Sequence, residues 1–453
     1  MTVAMTYSGH IRAILVLGLP LIGGHLAQFA IGLTDTVMLG WYGVGELAAV
    51  TLGTSYFFVL FILGAGFALA VMPMVATAEA SADTTSVRRV TRMGLWLSLG
   101  YAVLAMPAMI WAERILLALG QGAEVSALAG AYLRLAGWGL FPALLVMVLK
   151  SYLAAQERTQ VVLWITLLAA LTNGLVNYAL IFGNWGAPEL GITGAAIASV
   201  LTQGVSLVAV VLYAVLALPE HSLFQRFWKP DWEMLGKVFL LGVPIGLTTV
   251  SEVSLFSASA LMMGWLGTVP LAAHGIVVAV SSATFMVHLG LSNVATIRAG
   301  NAYGRRDRLH MVRGAVVVMA LSLGFAALTV VAFLVIPKPV LSLFLEPDNP
   351  ARSEILTIGV GLLAIAALFQ LVDGAQAIAL GLLRGVQDTQ VPMLMAALSY
   401  WGVGMPTSYV LGFTMGLGGI GIWLGLVAGL GCAAVFLIFR FLGRGIRKVE
   451  QAG

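Results

Sequence analysis

Apolar residues dominate the chain in twelve long runs that are separated by short polar or turn-rich segments. The runs cover residues 14–40, 46–76, 93–112, 129–155, 161–183, 191–217, 236–264, 270–298, 311–336, 353–383, 391–413 and 418–441. A helix of roughly 20 apolar residues crosses a hydrocarbon layer of about 30 Å. The pattern therefore predicts an all-α integral membrane protein with twelve transmembrane helices.

The composition agrees with this prediction, because 60% of the residues are hydrophobic, 9% are charged and the mean hydropathy is +1.01. Soluble domains carry about 25% charged residues, so no separate soluble domain is expected that could hold an ordinary enzyme or bind nucleic acid. The single cysteine, Cys432, excludes an intramolecular disulfide. Residues Met1 to His10 lack the layout of a cleavable signal peptide, and we expect the first span to be retained.

The basic residues predict the orientation. When the loops after even-numbered spans and both tails are assigned to one side, that side holds 19 of the 23 Lys and Arg residues. The other side keeps only Arg114, Arg134, Lys338 and Arg352. The positive-inside rule then places both termini in the cytoplasm, with the chain in the inner (plasma) membrane.

The second half of the chain repeats the first at an offset of 224 residues. Gly18 and Pro20 fall on Gly242 and Pro244, and further matches are Gly40-Trp41 with Gly264-Trp265, Leu47-Ala48-Ala49 with Leu271-Ala272-Ala273, and Gly66 with Gly290. The repeat predicts two six-helix bundles, residues 1–217 and 236–453, joined by a cytoplasmic linker at 218–235. Six is an even number, so the bundles are parallel repeats about a pseudo-twofold axis along the membrane normal. Pro20 and Pro244 each remove a helix hydrogen bond and are either hinges or inherited kinks.

Three carboxylates, Asp35, Glu252 and Asp373, lie inside apolar runs. A charged side chain at the bilayer centre costs about 2.5–3.5 kcal/mol on insertion scales, so we expect these three to face a watery cavity. A carboxylate removed from water takes up a proton or pairs with a cation such as Na⁺ or a cationic ligand; the structural alternative is a satisfied interior acid. At the 224-residue offset, Glu252 corresponds to Gln28 and Asp35 to Ser259. The halves have therefore diverged, and we expect Glu252 and Asp373, both in the second half, to bind the coupling ion.

Several ordered motifs make the chain resemble the multidrug and toxic compound extrusion (MATE) family, in particular its NorM-like branch. They are Thr34-Asp35-Thr36-Val37-Met38, Glu46-Leu47-Ala48-Ala49-Val50, Asn173-Gly174-Leu175-Val176-Asn177-Tyr178, Leu190-Gly191-Ile192-Thr193-Gly194, Pro244-Ile245-Gly246 with Glu252, Ala295-Thr296-Ile297-Arg298, and Asp373 followed by Gly381-Leu382-Leu383-Arg384-Gly385. The resemblance implies a V-shaped pair of bundles around a central cleft that exchanges Na⁺ or H⁺ for amphipathic cationic drugs.

The resemblance implicates Asp35, Glu252 and Asp373 in ion or substrate binding, in agreement with the argument from the apolar runs. We expect Glu252 and Asp373 to couple the ion and to form a possible Na⁺ site, and we expect the cavity to include Asp35, Phe369, His288, Asn173, Asn177 and Gln28. Phe369 stands where some members carry tyrosine, and His288 stands where proline is usual. These departures leave the choice between Na⁺ and H⁺ open; of the two ions, we expect H⁺. No other cofactor is implied, and no His/Cys cluster predicts a transition-metal site.

The sequence thus predicts a monomeric antiporter that exports organic cations. A flippase or exporter of a lipid-linked or metabolic substrate on the same scaffold is the nearest alternative, although basic residues that would hold anionic groups are nearly absent from the middle of the runs. An intramembrane enzyme would need a nucleophile and base or a metal-ligand set, and a channel fits the twofold repeat least well.

Overall fold

The computed structural model describes residues 5–345 and 350–451 of the 453-residue chain. Most of these residues are helical, and there is no β-strand among them. The α-helices are α1 (Tyr7–Tyr42), α2 (Val44–Ala80), α3 (Thr84–Ile110), α4 (Ala112–Ala118), α5 (Ala123–Ala136), α6 (Leu140–Ala155), α7 (Thr159–Phe182), α8 (Ile192–Ala217), α9 (Trp232–Leu266), α10 (Thr268–Arg305), α11 (Arg308–Val335), α12 (Pro337–Ser342), α13 (Arg352–Gly385), α14 (Gln390–Ala397), α15 (Met405–Tyr409), α16 (Gly418–Arg440) and α17 (Ile446–Gln451). The prediction of an all-α membrane protein is confirmed.

Within the described ranges, eleven helices are long and apolar enough to cross a membrane. The predicted span at 391–413 is helical as well, but it alternates between α-helix and π-helix. Its π-helical segments are Leu398–Gly404 and Val410–Thr414, on either side of α15. The π-turns interrupt the regular α-helix, so this segment is not one continuous α-helix, and the count of twelve spans in two six-helix bundles stays a prediction.

Two loops repeat the same backbone geometry at the predicted offset. Ala82 after α2 and Arg306 after α10 both adopt a left-handed conformation, with φ of 57° in each case. The next residues, Asp83 and Asp307, cap α3 and α11, because their carboxylates accept hydrogen bonds of 2.9 Å from the backbone amides three residues later. The sequence repeat is therefore also a repeat of local structure.

The chain packs as two compact units, and the division falls inside two helices. One unit contains residues Met1–Ile22 and Leu247–Gly453, and the other contains Gly23–Gly246. The breaks at Ile22 in α1 and Gly246 in α9 are equivalent at the 224-residue offset, and each lies two residues after an aligned proline. The packing units thus divide the chain differently from the predicted sequence repeats, whose own boundaries remain a prediction.

Close helix packing accompanies both breaks. In the unit Gly23–Gly246, Gly66 of α2 lies against the backbone of α9, where an added Cβ would stand 2.6 Å from the amide nitrogen of Gly246. In the other unit, the equivalent Gly290 of α10 lies against α1, where an added Cβ would stand 2.9 Å from the amide nitrogen of Ile22. Only a residue without a side chain permits this approach.

The linker between α8 and α9 is held against α3. Arg89 donates to Asp231 at 2.5 and 3.1 Å, and the Trp96 indole donates to the carbonyl oxygen of Phe227 at 2.9 Å. The Arg89 guanidinium hydrogen-bonds Asp231 and holds the pKa of that carboxyl below its usual range. The predicted linker is therefore packed against α3 within the unit Gly23–Gly246, to which all of it belongs.

Candidate functional site

In the unit Gly23–Gly246, Asp35 forms a polar group with two asparagines of α7. Asn173 and Asn177 donate side-chain N–H groups to the Asp35 Oδ1 atom at 3.0 and 2.5 Å, and Asn177 also donates to Asn173 at 3.2 Å. Both asparagines are buried, whereas Asp35 is partly exposed. The asparagines are four residues apart, so they lie on one face of α7 and reach the same carboxylate. The two asparagines thus hold the Asp35 carboxylate in place, and the carboxylate can contact a cation.

In the other unit, helix α13 carries three polar side chains on one face. Gln370, Asp373 and Gln376 follow one another at a spacing of three residues, and all three are buried. Glu252 of α9 lies beside this face, since the Gln376 side-chain amide hydrogen-bonds its carboxylate. The Asp373 and Glu252 carboxylates repel each other electrostatically. The structure therefore brings together the two predicted ion-coupling acids.

Two further side chains interact electrostatically with this pair of acids. The Arg384 guanidinium of α13 attracts the Glu252 carboxylate. Tyr400, in the π-helical segment Leu398–Gly404, is fully buried within electrostatic range of Glu252 and Asp373. The next residue, Trp401, fixes this segment on α9 through a hydrogen bond of 3.4 Å from its indole to the carbonyl oxygen of Ser251. Glu252 thus has a basic neighbour, and Asp373 faces mainly like charge.

Several polar atoms of this cluster have no hydrogen-bond partner among the described residues. They are Asp373 Oδ1, both side-chain atoms of the Gln370 amide and Gln376 Oε1. Buried polar atoms in folded proteins nearly always bond to protein, water or an ion. A cluster of unpartnered carbonyl and carboxylate oxygens is the set of ligands that a hard cation such as Na⁺, or a hydrated proton, would accept.

The predicted cavity residue Phe369 is buried in an aromatic cluster. Its ring meets the rings of Phe256 and Trp423 edge-on, with centroids 5.8 and 5.5 Å away. The Trp423 indole in turn donates to His274 Nδ1 at 3.1 Å. Phe369 lies one turn before Asp373 on α13, so this apolar cluster adjoins the polar face.

His288 lies next to the polar face but bonds elsewhere. Its Nδ1 atom is 2.8 Å from the Ser322 hydroxyl, and its ring contacts Gly374, the residue after Asp373. Its second ring nitrogen, Nε2, is buried without a partner in the described part of the chain. The contact with Gly374 places His288 behind the backbone that carries Asp373.

The remaining predicted residues take separate positions. Gln28 is exposed on α1, two helical turns before Asp35, and makes none of the hydrogen bonds of the Asp35 group. Pro20 and Pro244 lie inside continuous α-helices at the equivalent positions noted above. Their role as hinges stays a prediction.

Sequence reasoning missed Gln370, Gln376, Tyr400 and the pairing of Arg384 with Glu252. The two glutamines were detectable, because they stand three residues on either side of Asp373 and so share its helix face. Tyr400 gave no such signal, since it comes from a different part of the chain. Among the described residues there is no group of three or more His, Cys, Asp and Glu side chains that could hold a metal ion.

Comparison with known proteins gives three consistent results. The MatE family model matches residues 20–179 and 244–410. A protein of Rhizobium meliloti (strain 1021), named "Probable multidrug resistance protein NorM", is 46% identical over 445 residues, which are 98% of this chain and 95% of the relative. A protein of the same name from Agrobacterium fabrum is 44% identical over 449 residues, which are 99% of this chain and 97% of the relative.

A solved structure has the same fold. It is described as the outward-facing conformation of a multidrug resistance MATE family transporter of the MOP superfamily. It matches with a TM-score of 0.88 and 19% identity, covering 97% of each chain. The two chains therefore share a fold.

Proposed function

The chain belongs to the MatE family of membrane transporters, and we propose that it is an antiporter that exports amphipathic organic cations in exchange for H⁺ or Na⁺ by alternating access. The observation that carries this proposal is the buried group of Glu252, Asp373, Gln370, Gln376 and Tyr400, with its unpartnered oxygen atoms. The naming of the relatives as multidrug resistance proteins supports the same function. We infer no enzymatic activity.

The geometry gives the two acids different roles. Glu252 has two neighbours that stabilise its charged form, the Gln376 amide and the Arg384 guanidinium. Asp373 has an unpartnered Oδ1 atom and a like-charged neighbour. Two close carboxylates in a medium of low dielectric constant are stable only when a proton or another cation neutralises one of them. Asp373 is therefore the group that takes up the coupling ion.

Coupling requires that ion and substrate favour different states of the transporter. A ligand shifts a conformational equilibrium only by its difference in affinity for the two states. In this mechanism the external cation binds at Asp373 and Glu252 and promotes release of the exported substrate. Return to the other state releases the cation and admits the next substrate. The Asp35 group, with its fixed carboxylate, provides a separate anionic contact for an organic cation.

The decisive experiment uses proteoliposomes at zero membrane potential and a fluorescent organic cation. A pH gradient and a Na⁺ gradient are imposed separately, and the uptake of the organic cation that each gradient drives is followed. Uptake driven by one gradient establishes antiport and identifies the ion. If neither gradient drives uptake, antiport of organic cations is wrong, and a lipid-linked or metabolic substrate becomes the better hypothesis.

Two variants test the site within this assay. Asp373→Asn keeps the size of the side chain and removes its charge, and we expect it to abolish gradient-driven uptake. The control Glu124→Gln removes an exposed carboxylate at the start of α5 and should leave uptake unchanged. Normal uptake by Asp373→Asn would refute the assignment of Asp373 as the coupling group.

We further propose that the protein is a monomer in the inner (plasma) membrane with both termini in the cytoplasm. In a Cys432→Ser background, a cysteine at Ser81 in the α2–α3 loop should be protected from a membrane-impermeant thiol reagent in intact cells. A cysteine at Gln121, between α4 and α5, should react. Both positions are exposed, so the reverse result would contradict the orientation.

A further inference from the structure

The last helical segment carries a regular stripe of basic and aromatic side chains. The helix runs without a break from α16 through the π-helical segment Phe441–Gly445 into α17. Phe436, Arg440, Arg444 and Arg447 recur at spacings of four, four and three residues. Such spacing places side chains on one helix face, although the wider π-turn shifts the angle slightly. The stripe lies at the end of a candidate membrane span, Gly418–Val449.

Two of the basic side chains in this region have structural partners. Arg440 forms a bidentate ion pair with Asp388, in which its Nε and Nη2 atoms donate to the two carboxylate oxygens at 2.8 and 3.0 Å. Both side chains are largely buried. Lys448 donates to the carbonyl oxygens of Val386 and Gln387 at 3.5 and 3.4 Å. These contacts attach the end of the helix to the loop before α14.

Arg444 and Arg447 differ from Arg440 and Lys448 in this respect. Both side chains are exposed, and neither has an acidic partner within 4.0 Å among the side chains that the structure describes. Near them, Asp388 already neutralises Arg440, so the surface keeps a local positive charge. Arginine binds phosphate oxygens through two parallel N–H groups, which makes it well suited to a phosphate ligand.

The arginines border a groove of about 470 Å³ that also has apolar walls. Its lining includes Met395 of α14, Phe436 and Phe439 of α16, and Arg440, Arg444 and Arg447. Phe436 and Phe439 are 49% and 70% exposed. A ligand that fills this groove therefore needs an anionic part for the arginines and a long apolar part for the phenylalanines.

We propose that this groove is a binding site for an anionic phospholipid, with the phosphate at Arg444 and Arg447 and an acyl chain along Phe436 and Phe439. The charge complementarity favours an anionic headgroup over a zwitterionic one. Clusters of basic residues at the cytoplasmic ends of spans attract anionic lipids in this way, and the basic residues of this chain predict that the groove lies on the cytoplasmic side. The inference is independent of the proposed transport activity, because the groove shares no residue with the Glu252 and Asp373 group.

Native mass spectrometry of the purified full chain tests the proposal. The protein in a non-ionic detergent is titrated with phosphatidylglycerol and, separately, with phosphatidylethanolamine of the same acyl chains. We expect the first phosphatidylglycerol molecule to bind more tightly than the first phosphatidylethanolamine molecule. Arg444→Gln with Arg447→Gln should weaken this binding by about thirtyfold, since each arginine contributes on the order of one such charge contact.

The matched control Arg12→Gln with Arg305→Gln removes the same charge from two other exposed arginines and should leave binding unchanged. An equal loss in the control would show that only general surface charge attracts the lipid, and would overturn the proposal. Undiminished binding by the Arg444 and Arg447 variant would overturn it as well.

A third arm distinguishes a lipid from a soluble phosphate. Phe439→Ala should weaken the binding of long-chain phosphatidylglycerol but leave the binding of a short-chain analogue unchanged. Millimolar inorganic phosphate should not compete with the lipid for binding. Competition by inorganic phosphate, or an equal effect of Phe439→Ala on both chain lengths, would show that the groove does not hold an acyl chain and would refute the lipid assignment.

Discussion

Replacing Gly66 by alanine should destabilise the protein more than any glycine-to-alanine change at an open helix position. Gly66 of α2 faces the backbone of α9 at Gly242 and Gly246, next to Pro244. The added Cβ would stand 2.6 Å from the Gly246 amide nitrogen, whereas non-bonded heavy atoms prefer about 3.5–4.0 Å. Because the obstructing atoms belong to a helix backbone, they cannot rotate away, and α2 and α9 have to separate.

The size of the effect follows from this geometry. Overpacking by one methyl group costs about 1–3 kcal/mol, and the backbone contact places Gly66→Ala near the upper part of that range. In a unit of about 200 residues, each kcal/mol lowers the unfolding midpoint by about 2–4 °C. We therefore expect the midpoint of Gly66→Ala to fall by about 4–12 °C.

The assay is thermal unfolding of the purified protein in detergent, followed by intrinsic tryptophan fluorescence. Gly100→Ala in α3 is the matched control, because its added Cβ meets no atom within 4 Å, and alanine favours a helix by up to about 1 kcal/mol. Gly290→Ala, the repeat equivalent, should behave like Gly66→Ala. An unfolding midpoint of Gly66→Ala equal to that of the wild type would refute the close approach of α2 and α9.

Two further predictions concern ion pairs at helix ends. Asp388→Asn should lower the free energy of unfolding by about 3–5 kcal/mol, because it leaves the buried Arg440 without its counter-charge; chemical unfolding in detergent measures this, and a loss below 1 kcal/mol would contradict it. The pKa of Asp231 lies below its usual range because Arg89 holds the carboxylate. Its contribution to linker docking is therefore complete at neutral pH and is lost below about pH 4 as the carboxylate takes up a proton. The amide protection factors of residues 218–231, corrected for the pH dependence of intrinsic exchange, should fall over that pH range, and constant protection would argue against the role of the pair.

The site was only partly predictable from the sequence. Asp35, Glu252 and Asp373 stood out because a carboxylate in an apolar run is costly and rare. That Glu252 and Asp373 lie together, and that Asp35 bonds instead to Asn173 and Asn177, depends on how separate helices pack. The sequence pattern predicts which side chains share a face of one helix, but it does not predict which other helix packs against that face.

The sequence by itself determined the all-helical membrane character, because the length and hydrophobicity that a bilayer demands are local properties of the chain. It also determined the loop geometry shared by Asp83 and Asp307, since a capping side chain acts within three residues. Only the tertiary structure decided that Tyr400 and Gln376 join the two acids, that the span at 391–413 contains π-turns, and that α1 and α9 pass from one packing unit to the other after their prolines. These features arise from contacts between residues far apart in the chain, which close packing selects and local sequence does not specify.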